Sequence, residues 1–116
     1  MVAAVDASFS LDAVVITGGR SVEGEPASGI GLSLIGAATG EAAGSAITGN
    51  DGGGVVLIGE SELRLNGCDL SGNGGGGIDV MESAEVRLVA SRVSGNGGNG
   101  VEAGGSALLV VRDTAV

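Results

Sequence analysis

The stretch SGNGGGGIDV, residues 71–80, decides the fold, because its asparagine and glycines suit either a ligand loop or the corner of a repeat. Glycine frees the backbone for positive φ in both cases, so the surrounding sequence has to choose. It chooses the repeat: ITGN ends at Asn50, LSGN at Asn73 and VSGN at Asn96, each 23 residues after the one before. On that period other columns stay apolar: Val55, Ile78 and Val101; Leu57, Val80 and Ala103; Leu63, Val86 and Leu109; Leu65, Leu88 and Val111; Leu70, Val93 and Val116. The N-terminal ASFSLDAVVITGG enters the same frame, with Phe9 and Leu11 in the third and fourth columns and Ile16 in the last. GIGLSLIGAATGEAAGSAITGN, carrying Ile30, Leu32 and Ile47, is two residues longer and rich in Ala and Gly, so an irregular coil is expected there. RSVEGEPAS, between Gly19 and Gly29, breaks the period and reads as an exposed loop.

Within each unit apolar and polar residues alternate over short runs, which gives three short strands per coil. Such strands cannot stand alone. Stacked at about 4.8 Å, each joins a parallel sheet and each apolar column becomes a continuous interior row. Parallel sheets ordinarily need helical crossovers, and no segment here has the length and period for one; a solenoid supplies the crossover by its own winding. The expected fold is therefore all-β, a single-stranded parallel β-helix of about five coils, right-handed by the chirality of parallel crossovers. One domain spans 1–116, with coils near 1–28 (an inserted loop near 20–28), 29–53, 54–76, 77–99 and an incomplete 100–116. Asn50, Asn73 and Asn96 then occupy one corner position, expected to be left-handed, where their amides hydrogen-bond from coil to coil as a ladder.

Composition agrees with thin stacked layers. The chain of 116 residues has one aromatic residue, Phe9, so its interior must be filled by Val, Leu, Ile and Ala. Its 25 glycines disfavour a helical bundle, because glycine costs about 1 kcal/mol per helix-interior position. A hydrophobic share of 43% against 16% charged disfavours disorder. The net charge of −9, with five arginines and no lysine, argues against nucleic acid as a partner. Absence of histidine removes the commonest general base and metal ligand. Cys68 is the single cysteine and forms no internal disulfide. MVAAVDASFS has neither a basic region nor a long apolar run, so no signal peptide and no membrane span are read in these residues.

Two ligand motifs compete for the glycine corner. GGGGIDVME, residues 74–82, matches the G-G-x-G-x-D-x-U-x nonapeptide of calcium β-rolls. The match occurs once, and the equivalent positions one coil away are Val56 and Glu102. Asp79 and Glu102 remain the calcium candidates, adjacent in an outward column; no other cofactor is expected. A P-loop fails, because no G-K-[ST] and no helix follow the glycines.

The pattern V-x-V, S-x-V-x-L, V/I-S-G-N-G resembles the right-handed parallel β-helix repeat family, within the pectin-lyase-like superfamily, over nearly the whole chain and most clearly over 47–116. The resemblance implies an exported or cell-surface protein, and a structural or binding repeat module that contacts carbohydrate. Relatives of this kind include polysaccharide lyases and glycoside hydrolases, so a fragment of an enzyme acting on acidic polysaccharide is the alternative. Arg87 and Arg92 have the spacing of the R-x-P-x-x-R segment of pectate lyases, with Val89 where the proline would stand. Catalytic residues are therefore not assigned, and the balance for this segment lies against an enzyme. Glu62 and Glu85 share one column and Arg64 and Arg87 the next, an alternation expected to compensate charge between strands. Val116 stops inside a coil, so a segment of a longer protein or end-to-end self-association is expected.

Overall fold

The computed structural model describes residues 2–20 and 29–114. Most of RSVEGEPAS lies outside these residues, as does Val116 of the last apolar column. Five coils follow one another: β1 (Val2–Val5), β2 (Ser8–Asp12) and β3 (Val15–Thr17); β4 (Leu32–Ile35), β5 (Thr39–Ala43) and β6 (Ala46–Thr48); β7 (Val55–Leu57), β8 (Glu62–Asn66) and β9 (Asp69–Ser71); β10 (Ile78–Val80), β11 (Glu85–Val89) and β12 (Arg92–Ser94); then β13 (Val101–Ala103) and β14 (Leu108–Arg112). The first strands of the coils form one sheet, β1-β4-β7-β10-β13, the second strands another, β2-β5-β8-β11-β14, and the third strands β3-β6-β9-β12. Every pairing is parallel, as the absence of hairpins requires.

Register follows the period. Val55, Ile78 and Val101 are successive partners, as are Leu63, Val86 and Leu109. Alternation along each strand turns these columns inward: Leu63 and Leu65 are buried while Glu62, Arg64 and Asn66 are exposed. Leu32, Leu34, Ile47, Leu57, Leu70, Ile78, Val80, Val86 and Leu88 make the filled interior. Burying a side chain of this size contributes roughly 1.5–3 kcal/mol, which offsets the cost of ordering so many glycines.

The second coil is regular, contrary to its composition. Leu32 pairs with Val55, Thr39 with Glu62 and Ala46 with Asp69, the same offset as in later coils. Its extra residues belong to the corner before it, where Gly29 accepts from Gly52 and Gly31 donates to Gly53. Phe9 explains how small residues are tolerated: it pairs with Gly40, and its ring occupies the space a Cβ on Gly40 would need. A large residue in one coil thus fills the void left by glycine in the next.

Each corner contains a left-handed residue. After the first strands these are Asp6, Gly36, Gly59, Glu82 and Gly105; after the second, Ala13, Gly44, Gly67, Ala90 and Asp113; after the third, Gly18, Gly49, Gly72 and Gly95. The asparagines are not among them. Left-handed geometry falls on the glycine one residue earlier, which leaves each Asn in ordinary backbone with its side chain turned inward.

Candidate functional site

The asparagine corner answers what SGNGGGGIDV does. The Asn50 Nδ2 donates to Asn73 Oδ1 at 3.0 Å, and Asn73 Nδ2 to Asn96 Oδ1 at 3.0 Å. The same oxygens accept the backbone N–H of Asn50 at 3.1 Å and of Asn73 at 2.9 Å. Each amide also reaches a strand carbonyl of the preceding coil, Asn73 Nδ2 to Ile47 and Asn96 Nδ2 to Leu70. Asn50 and Asn73 are 2% exposed, so these bonds replace water entirely. The glycines make room for them. A Cβ on Gly54 would stand 2.9 Å from Asn73 Nδ2 and 2.7 Å from the Gly77 carbonyl, and one on Gly77 2.9 Å from Asn96 Nδ2.

A second polar ladder, not expected from the sequence, runs through the corner after the second strands. Ser45, Cys68, Ser91 and Thr114 lie one period apart. The Ser45 hydroxyl accepts from Val14 N–H, the Ser91 hydroxyl from Cys68 N–H and the Thr114 hydroxyl from Ser91 N–H. Cys68 donates its thiol to the Ala42 carbonyl at 3.3 Å and is buried. The signal was the period itself, hidden because three residue types share one role. Among the described residues no buried side-chain nitrogen or oxygen lacks a partner.

The calcium candidates sit on the outer face of the first sheet. Asp79 is the register partner of Glu102 on one side and of Val56 on the other. Burial, and then the neighbouring Glu102 carboxylate, push the Asp79 carboxyl above its ordinary value. Its carboxylate folds back over the glycine corner, where a Cβ on Gly76 would lie 3.0 Å from Oδ1. Glu102 Oε2 accepts from Asn99 Nδ2 at 3.1 Å. Among the described residues no group of three or more His, Cys, Asp or Glu comes together that could hold a metal ion.

On the outer face of the second sheet, Glu62 and Glu85 are register partners, as are Arg64 and Arg87. Compensation runs along the strand instead of across it: Arg87 Nε meets Glu85 Oε1 at 2.8 Å. Between these two coils like charges are nearest neighbours, so the opposite charge two residues along the same strand is the partner Arg87 takes, while Arg64 has Glu41 as its register partner on the other side. A depression of about 390 Å³ opens beside them, lined by Phe9, Thr39, Gly40, Glu41, Glu62 and Arg64. A smaller hollow of about 80 Å³ continues past Glu62, Leu63 and Arg64 to Glu85 and Arg87. Arg92 lies on the third sheet, bonded to Ser94 Oγ at 3.2 Å, so the structure does not bring it together with Arg87 in one site.

Among the described residues no helix is long and apolar enough to cross a membrane. Neither the curated proteins nor the solved structures contain a match to this chain. A family model described as a right-handed β-helix region matches residues 7–116. With its coils stacked in register and its polar corners aligned, the chain belongs to the right-handed β-helix family.

Proposed function

We propose that this chain is a structural and binding module of an exported or cell-surface β-helix protein, and that its partner is an extended polysaccharide. The observation that carries the reading is the pair of hollows on the second sheet. They lie along the solenoid axis, between a row formed by Thr39, Glu62 and Glu85 and one formed by Glu41, Arg64 and Arg87. A hydroxyl-rich polymer laid along that line meets a donor or acceptor at each coil, about every 4.8 Å, and half-buried Phe9 gives the larger hollow an apolar wall. Such a surface binds by repetition over several weak contacts, as concave repeat surfaces do.

The test is retention on a panel of neutral and acidic polysaccharides, with Arg64→Ala and Glu62→Gln beside the parent chain. Retention of at least one polymer, weakened several-fold by either substitution, is expected. Equal retention of parent and variants, or none across the panel, overturns the reading.

A second reading, a fragment of a polysaccharide lyase or glycoside hydrolase, is favoured by Asp79. A carboxyl whose proton is held more tightly than usual by burial and by a neighbouring carboxylate is the kind of group that general-acid chemistry on a glycosidic bond uses. Release of reducing ends, or of unsaturated uronates, that disappears in Asp79→Asn would establish it; no release from any polymer that the chain retains would reject it. Calcium added to the same assays tests Asp79 and Glu102 as ligands, because a bound ion raises the unfolding temperature of the parent and not of Asp79→Asn.

A further inference from the structure

The corner after the first sheet carries a row of aliphatic side chains facing solvent. Val5 pairs with Ile35, and Ile58 and Met81 follow at the same position in the next two coils. Backbone bonds hold them in line: Ile58 N–H donates to the Leu34 carbonyl and Met81 N–H to that of Leu57. Val5 is 59% exposed, Ile35 41% and Met81 43%, with Ile58 half-buried between them. Isolated exposed aliphatics are common, but four in register form one contiguous stripe on the order of a few hundred Å², the size of the largest apolar patch on an ordinary monomer, which is often functional.

Charge selects the occupant. Asp6, Glu60 and Glu82 flank the stripe on the corner side, and Asp79 and Glu102 stand two residues back along the strands. None of the arginines of the described residues belongs to this sheet or corner: Arg64, Arg87 and Arg112 are on the second sheet, Arg92 on the third, and Arg20 follows the third-strand corner. Spacing selects its shape. Coils repeat about every 4.8 Å, close to the 5.4 Å pitch of an α-helix and well short of the roughly 6.6 Å between same-face residues of a strand. Three coil intervals match about ten helical residues.

We propose that the Val5–Ile35–Ile58–Met81 stripe docks an amphipathic helix of a partner protein, with one apolar residue per turn on the stripe and Lys or Arg at its sides. This surface is distinct from the polysaccharide hollows on the second sheet, and neither proposal depends on the other.

The probe is a soluble 15-residue Leu/Lys peptide with its leucines on one helical face, titrated into the full chain alongside a scrambled peptide of equal composition. Micromolar binding is expected, at least tenfold tighter than for the scrambled form. Ile35→Ser/Ile58→Ser/Met81→Ser weakens it at least tenfold without moving the unfolding midpoint by more than a few degrees. Glu60→Gln/Glu82→Gln, which leaves the apolar row intact, lowers its salt dependence. Equal binding of the two peptides, or unchanged binding by the serine variant, overturns the proposal. So does a concentration-dependent dimer, or binding to phosphatidylcholine vesicles, that the serine variant abolishes without the parent binding the peptide; the stripe would then belong to a second copy or to lipid.

Discussion

The corner after the third strands and the corner after the first make the same left-handed turn under different constraints. At the former each of the four described turns uses glycine, Gly18, Gly49, Gly72 and Gly95, and the next residue in the later three is an asparagine, buried at Asn50 and Asn73 and half-buried at Asn96. At the latter the position passes from Asp6 through Gly36 and Gly59 to Glu82 and Gly105. The difference lies in the residues downstream of the turn. Behind the third-strand glycine the chain must place an amide in line with two others, and further glycines must leave space for it. Behind the first-strand residue comes one exposed residue and then a small buried one, Ala38, Ser61 or Ala84, with no amide ladder to align, so an L-residue can remain there at a cost in strain, about 1–2 kcal/mol.

The sharpest way to break this contrast is to add one methyl group at the strict corner. In Gly77→Ala the new Cβ meets Val93, the Gly100 carbonyl and Asn96 Nδ2 together. A loss of about 3 kcal/mol or more is expected in denaturant unfolding, because backbone and ladder must both shift. Next is Asn73→Ala, which leaves the buried Asn50 N–H without its acceptor and takes from Asn50 Nδ2 its shortest bond, the Ile16 and Thr48 carbonyls remaining to it. A cost of about 2–4 kcal/mol is expected, against a much smaller change for exposed Asn66→Ala.

At the permissive corner the sign reverses. Glu82→Gly relieves a left-handed residue whose column is also crowded, as shown by the 3.1 Å that a Cβ on Gly105 would leave to the Glu82 carbonyl. Stabilisation by about 1 kcal/mol is expected from chemical unfolding, with less from Ala90→Gly, whose equivalent Gly67 would hold a Cβ in ordinary contact, 3.9 Å from Gly44 N. Equal gains would show that crowding contributes nothing.

The smallest expected effect concerns pH. Because the folded-state carboxyl of Asp79 titrates above its ordinary 3.8, the native state holds its proton longer than the unfolded chain does. Its contribution to stability is therefore full below 3.8 and is lost as pH rises through the raised value. Asp79→Asn should raise the melting temperature slightly at neutral pH, with the gain shrinking as pH falls towards 3.8. A gain that grows on acidification would contradict the assignment.

Much of the architecture was legible because one period repeats in several columns at once, so the positions of Ile78, Leu88 and Val93 reinforce one another. Adjacent Gly and Asn blurred the backbone detail: both residue types accept left-handed geometry, and sequence alone placed it on Asn50, Asn73 and Asn96 instead of on the glycines before them. Gly40 and Ala42 made the second coil look irregular, because their packing partners Phe9 and Leu11 precede them by 31 residues and not 23. The serine, cysteine and threonine ladder was invisible to a search for identical residues. The hollows of the second sheet depend on how long side chains lie across neighbouring strands, which spacing does not encode.

The 23-residue register from the second coil onward has one further consequence: a coil can be taken out of this rod, or added to it, as a whole cassette. Removing 54–76 and joining Gly53 to Gly77 would bring Leu32 against Ile78 and Asn50 against Asn96, with each row still meeting its own kind. One residue removed from within a strand would turn the side chains beyond it inside out, since neighbours along a strand face opposite ways, whereas a corner takes up an odd residue, as between the Val5–Ile35 offset of 30 and the Ser8–Thr39 offset of 31. Stacking is thus counted in full turns, while departures from the period are carried by the corners.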